Sequence, residues 1–205
     1  MPDRTAAQKP TACTVGHSSQ PIEAFIALLK AHEIEAVADA RSSPYSQYAP
    51  QFNAEPVKAA VTAAGIRYAF LGHEIGGRPN GQEFYDDAGY VLYWRLAQSA
   101  AFLHGIERLL NGIRRYRTAV MCSEENPAEC HRRLLIGRVL AERGVQVFHI
   151  RHDGRVQTED DVSREEKAAR RDSGQLSLFD VEATPEWKSP RSVLHAKQQP
   201  SSSEH

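Results

Sequence analysis

Three cysteines in 205 residues, an odd number, are too few for a disulfide framework, and the first ten residues, Met1 to Pro10, lack the apolar core of an export signal. Reduced thiols in a cytoplasmic setting are therefore expected. No apolar run approaches the eighteen or so residues of a membrane span, so no helical membrane anchor is expected. A surplus of charge is missing as well. The formal net charge is −1, which supplies no global attraction to nucleic acid or to a membrane surface, and any nucleic-acid contact would need a local patch. Internal repeats are absent. What is present is a chain that is 41% hydrophobic and 25% charged, enough to bury one core, and one domain plus a tail is the natural count.

Short β-rich runs alternate with helical patterns from residue 12 to residue 150, the signature of a largely parallel sheet covered by helices. Strands are expected at 12–16, 35–39, 67–71, 118–122 and 145–150, and helices at 21–33, 55–64, 90–115 and 128–143. The expected fold is α/β: a single three-layer domain over residues 11–152 with a mainly parallel sheet of about five strands. A flexible N-terminus (1–10) precedes it. A mostly disordered tail (153–205) follows, where charged and polar residues dominate. Two connections, 40–53 and 72–89, are longer than a compact domain ordinarily uses unless they serve a function.

Reactive groups are densest between Cys122 and Arg132, where Cys122, Glu124, Glu125, Glu129, Cys130, His131 and Arg132 fall at one strand-to-helix junction. Pro127 opens the helical pattern, Gly144 closes it, and Asn126 is the candidate N-cap. Cys122 then stands at the carboxyl end of a strand, where open α/β sheets bind ligands. Three readings fit this stretch. A thiol nucleophile, Cys122 or Cys130, would be activated by the helix N-terminus with His131 and Arg132. A metal site, zinc or iron on Cys122, Cys130 and His131, would follow no common zinc spacing and would need a fourth ligand such as His17. Alternatively, both cysteines are small core residues and the charged groups form surface pairs.

Three other strand ends point to the same face. The first carries His17, Ser18 and Ser19, with the serines or Gln20 as helix caps and the freed amides as an anion site. The second carries Asp39 and Arg41; the guanidinium suits phosphate or carboxylate, and the carboxylate would orient it or serve as a base. After the third, Gly76 and Gly77 permit backbone amides to approach a ligand. Tyr45, Tyr48, Phe52, Phe84 and Tyr85 lie on the two long loops, where they would pin the loops to the body or stack on a base. Cys13, in mid-strand, is a core residue. The candidate catalytic set is Cys122, Glu124, His131 and His17. The candidate ligand-binding set is Ser18, Asp39, Arg41, Gly76, Gly77 and Arg132, and no cofactor is expected.

The combination Gly16-His17-Ser18, Asp39-Ala40-Arg41-Ser42-Ser43-Pro44, Leu71-Gly72 with Gly76-Gly77, and Met121-Cys122-Ser123-Glu124 leading to Cys130-His131-Arg132 resembles the bacterial domain-of-unknown-function family 488. The resemblance implies an α/β domain with its motif residues gathered at one face, and no settled reaction. In the tail, Gln175-Leu176-Ser177-Leu178-Phe179 is similar to the peptides by which bacterial replication and repair proteins dock on the DNA sliding clamp. There Gln175 would be hydrogen-bonded, and Leu176, Leu178 and Phe179 would supply the apolar contact. The expectation that follows is an enzyme of DNA maintenance acting on a nucleotide or nucleic-acid-derived, phosphate-bearing substrate, with the sliding clamp as partner and no membrane. A non-enzymatic clamp-associated repair adaptor and a thiol redox or metal sensor are the alternatives.

Overall fold

The apolar runs become strands whose two faces are covered by different helices. A computed structural model describes residues 9–172 and 186–193. Strands β1 (Thr11–Gly16), β2 (Ala36–Asp39), β3 (Arg67–Phe70), β4 (Thr118–Cys122) and β5 (Gln146–Ile150) pair in parallel, and β6 (Val156–Thr158) adds an antiparallel edge. Their order is β3-β2-β4-β1-β5-β6. The central β4 is buried at all five positions, as a strand covered on both faces must be. On one face, α1 (Ile22–Ala31) and α2 (Ala54–Ala63) pack Phe25, Leu29, Val57 and Val61 onto Val15, Val37 and Met121. Beyond the short helices α3 (Gly72–Ile75) and α4 (Tyr93–Leu96), the other face is covered by α5 (Ala100–Ile113) and α6 (Arg138–Glu142). There Phe102, Ile106, Leu109 and Leu140 meet Ala12, Ala38 and Val120. Each fully buried Val, Leu, Ile, Phe or Met among these contributes about 1.5–3 kcal/mol.

The strand order places a switch point between β1 and β4. From β1 the chain crosses to β2 on one side, and from β4 it crosses to β5 on the other. A crevice opens beyond the carboxyl ends of two strands whose connections diverge in this way. Gly16 pairs with Cys122 there, and the ladder continues past the strands through His17 N–H to Cys122 O and Ser18 N–H to Ser123 O, both 2.9 Å. A Cβ on Gly16 would lie 1.9 Å from the Glu124 carbonyl oxygen, so only glycine lets the loop after β4 cross this close.

Several expectations change. The helix anticipated over 90–115 is broken: Val91 and Leu92 leave for bridges to other segments, and Ser99 caps a new helix by accepting from Phe102 N–H (3.3 Å). The helix anticipated from residue 128 starts later. Asn126 caps only a single 3-10 turn, Pro127–Glu129, by accepting from Ala128 N–H. Cys130 is extended, and the helix proper opens after it with a π-helical stretch, Arg132–Gly137, that runs into α6. Neither the serines nor Gln20 cap α1, whose N-cap is Pro21; Ser18 instead takes a left-handed conformation, φ 48°.

The largest correction concerns the expected tail. Beyond residue 153 the chain adds β6 and a fourteen-residue helix, α7 (Glu159–Asp172). Thr158 and Asp161 form a reciprocal capping box at its start, with Thr158 N–H donating to Asp161 Oδ2 (2.8 Å) and Asp161 N–H donating to Thr158 Oγ1 (3.2 Å). The buried Arg133 holds the helix through Glu159 and Glu166. Residues 186–193 return to the body: Trp187 Nε1–H donates to the Leu134 carbonyl (2.7 Å), Lys188 bridges to Leu92, and Arg191 pairs with Glu129. The clamp-like residues Gln175, Leu176, Leu178 and Phe179 lie outside the described residues. Among those described, no helix is long and apolar enough to cross a membrane.

Candidate functional site

A cavity of about 590 Å³ occupies the crevice beyond β1 and β4. Of the residues singled out in the sequence, His17, Ser18, Ser19, Arg41, Tyr45, Tyr48, Gly77, Cys122, Glu124, Glu129, Cys130 and His131 line it. Asp39, Gly76 and Arg132 stand behind its walls.

Two polar clusters meet there, one from each face of the sheet. On the α1/α2 face, fully buried Asp39 receives Arg41 Nε (2.9 Å) on one oxygen and Arg41 Nη2 (2.6 Å) with Tyr68 Oη–H (2.7 Å) on the other. Arg41 Nη1 donates to the Phe52 carbonyl (2.7 Å) and to His17 Nε2 (3.0 Å). Because a guanidinium only donates, His17 Nε2 is the acceptor, and its Nδ1–H donates to the Ser18 carbonyl (2.7 Å). The imidazole is thus fixed as the neutral Nδ1–H tautomer and lies stacked on Phe52, centroids 4.2 Å apart. Burial, and then the Arg41 charge, lower its pKa to about 4. His17 therefore has neither a proton at Nε2 to give nor a lone pair left to receive one.

On the α5/α6 face, Cys122 Sγ lies 3.6 Å and Cys130 Sγ 3.9 Å from the same nitrogen, His131 Nδ1. Backbone conformation produces this: Cys122 ends the strand, while extended Cys130 and helical His131 double the chain back toward it. His131 Nε2–H donates to the Ala40 carbonyl (3.0 Å), which aims Nδ1 at the sulfurs. The imidazole is clamped on its far side by Gly77, where a Cβ would fall 2.7 Å from His131 Cγ. The Cys130 thiol, donating to Cys122, draws the Cys122 pKa well below its usual range against the opposing effect of burial, and the charges of His131 and Arg132 add to this. Burial, then the hydrogen bond to Cys122 and the Cys122 charge, hold Cys130 well above that range. Burial alone would lower His131, but the Cys122 charge reverses this and raises it. The surroundings thus favour the thiolate at Cys122 and the neutral thiol at Cys130.

Arg132 does not face the cavity. Fully buried, it donates through Nη1 to the Glu124 carbonyl, through Nη2 to the Glu125 carbonyl (2.6 Å) and through Nε to Thr14 Oγ1 (3.3 Å). It shapes the loop that carries Glu124. Gly76 likewise serves packing, since a Cβ there would lie 2.4 Å from Ser42 Oγ.

Other cavity residues escaped the sequence reading. The strap Ser189, Pro190, Arg191, Ser192 and Val193 forms one wall, and Arg78 stands exposed at the mouth with no ion pair among the described residues. Tyr45 and Tyr48, at 77% and 86% exposure, pin nothing; Phe52 is buried, and half-buried Phe84 and Tyr85 pack on the core, with Tyr85 Oη–H donating to the Pro79 carbonyl (2.7 Å). The solitary Trp187 in a polar stretch was the available signal for the strap.

The model of the domain of unknown function DUF488 matches residues 21–139, more than half of the chain. The chain belongs to the DUF488 family. No curated protein and no solved structure matches it. The DUF488 match spans α1 through the start of α6 and so includes Asp39, Arg41 and the whole Cys122 to Arg132 stretch, whereas β1 with His17, the α7 helix and the strap lie outside it.

Proposed function

We propose that this DUF488 protein is an enzyme acting on a nucleotide or nucleic-acid-derived, phosphate-bearing substrate, with Cys122, Cys130 and His131 as its reactive centre. The observation that carries the reading is the convergence of these three groups on the floor of a cavity whose size suits such a ligand. Glu124, exposed on the cavity wall, serves as the base. Arg78, rather than the internally bonded Arg41 and Arg132, offers a cation to phosphate at the mouth, and the exposed rings of Tyr45 and Tyr48 offer faces to a base. Recruitment to DNA rests on Gln175-Leu176-Ser177-Leu178-Phe179 and its likeness to clamp-docking peptides.

The test is binding and turnover across a panel of nucleoside mono-, di- and triphosphates and oligonucleotide ends, comparing the wild type with Cys122→Ser and Glu124→Gln. Turnover is expected to fall at least about a hundredfold in both variants, in the range general-base removal produces, with nucleotide binding retained. Unchanged turnover in both removes the site from consideration. Deleting residues 175–179 should abolish co-elution with the sliding clamp and leave turnover on free nucleotides intact.

A further inference from the structure

We infer that Cys122, Cys130 and His131 are three ligands of a site for a zinc-class divalent metal ion, whose fourth position opens into the cavity. The inference rests on the reading of that cavity as an active site, and it names the cofactor. Zinc holds sulfur at about 2.3 Å and imidazole nitrogen at about 2.0–2.1 Å, so two ligands at a tetrahedral angle stand about 3.6 Å apart. The two sulfur-to-Nδ1 separations are 3.6 and 3.9 Å, and all three atoms lie within 4.8 Å of one another. Nδ1 has one lone pair in the ring plane, which one thiol saturates, yet two sulfurs approach it.

The far side of the imidazole agrees. A carbonyl only accepts, so Nε2 carries the hydrogen bonded to Ala40 O (3.0 Å), and the Nδ1 lone pair is left for a ligand. Metal-bound histidines are oriented in this way by a backbone carbonyl on the other nitrogen. Gly77 clamps the ring, and Arg132 pins the loop between the two cysteines through the carbonyls of Glu124 and Glu125. The ligands are therefore set before any ion arrives.

Among the described residues, no fourth protein ligand completes the set. His17, the sequence candidate, has both ring nitrogens engaged, one by the Ser18 carbonyl and one by Arg41. Among the described residues, the cluster of potential ligands contains these three members alone. Three protein ligands with one position left to water or substrate is the arrangement of catalytic rather than structural zinc. Two thiolates and one imidazole select zinc, or iron(II), over magnesium or calcium. Glu124 lines the same cavity and would accept the proton of a water activated there.

The experiment uses the full chain, reduced, stripped of metal and titrated with cobalt(II). The expected result is one equivalent bound, with a thiolate-to-cobalt charge-transfer band and the strong visible bands of a tetrahedral ion. Azide should then shift the visible bands while the charge-transfer band stays, because it enters the open position without displacing a cysteine. Cys130→Ser and His131→Ala should each weaken cobalt binding at least about tenfold. If serine or alanine unfolds the domain by circular dichroism, the wild-type stoichiometry and azide response decide alone. Absence of the charge-transfer band in reduced wild type overturns the site, and so does a band that survives in the Cys122→Ser, Cys130→Ser double variant. Cobalt binding without any nucleotide binding leaves the metal site standing and removes the proposed substrate. Nucleotide turnover by metal-free protein removes the metal site alone.

Discussion

The two faces of the sheet bring similar ingredients to the cavity and use them in opposite ways. On the α1/α2 face, Asp39, Arg41, His17 and Tyr68 close their hydrogen bonds on one another, at 2.6 to 3.0 Å, with the Phe52 and Ser18 carbonyls taking the remaining donors. On the α5/α6 face, Cys122, Cys130 and His131 stand 3.6 and 3.9 Å apart and keep coordinating capacity toward the cavity. A saturated polar network is a scaffold, because every partner is committed and none is left for a ligand. An unsaturated one on the floor of a cavity is a reagent. The same distinction divides the arginines: Arg41 and Arg132 are struts, whereas Arg78 stands exposed at the mouth with no ion pair among the described residues.

The comparison breaks most severely at Asp39. Removing one partner of a buried ion pair strands the other, at a cost of about 3–5 kcal/mol. Asp39→Ala leaves Arg41 buried with its carboxylate gone and Tyr68 Oη without an acceptor. Urea unfolding should show a loss of that size, with activity lost through instability. A loss under about 1 kcal/mol would mean that the α1/α2 face is no scaffold. The next effect comes through His17. Its pKa falls from an ordinary value near 6.5 to about 4 on folding, so between those values the unfolded chain binds more protons. Stability is full above about pH 6.5 and is lost as the pH falls, by about 2 kcal/mol on going from pH 8 to pH 5. His17→Asn should flatten that part of the curve, as read by denaturant unfolding at each pH.

What the sequence reveals about these faces differs in kind from what it hides. Strand β4 and the glycine-closed helices are legible because a wholly apolar run and a positive-φ glycine each leave a local mark; Gly65 and Gly144 have φ of 81° and 80°. Helix α7 is not legible by apolar periodicity. Arg133 anchors it through carboxylates, and Val162 is its buried apolar residue, so it reads as solvated chain; the capping box at Thr158 and Asp161 was the local signal for it. In the site, location was legible and role was not. His17, Arg41, Cys122 and Arg132 all follow strand ends, which brings them to one edge. Whether a guanidinium meets a ligand or a carbonyl depends on neighbours far apart in the chain, such as Thr14, 118 residues from Arg132. Spacing along the chain carries no record of such partners.

On the reagent face, substitutions should separate function from stability. Cys122→Ser keeps the volume nearly unchanged at a 5% exposed position, so unfolding free energy should move by no more than about 1 kcal/mol. Cobalt binding and turnover should disappear together in the same protein. A Cys122→Ser variant as damaged as Asp39→Ala would put the cysteine in the scaffold and erase the contrast between the faces.

The smallest effect on the fold is expected at the rim. Tyr48 is 86% exposed, and its ring takes part in no aromatic pair among the described residues. A side chain so placed contributes within about 0.5 kcal/mol to stability, so Tyr48→Ala should unfold where the wild type does. If its face receives a base, the same change should weaken nucleotide binding by about 1–3 kcal/mol, the range found for aromatic stacking platforms, while leaving binding of inorganic phosphate alone. Calorimetric titration with a nucleotide and with phosphate reads the two effects separately. An equal loss for both ligands would mean that Tyr48 shapes the mouth rather than stacking. No loss for either would confine recognition to the cavity floor, between the cysteine cluster and Arg78.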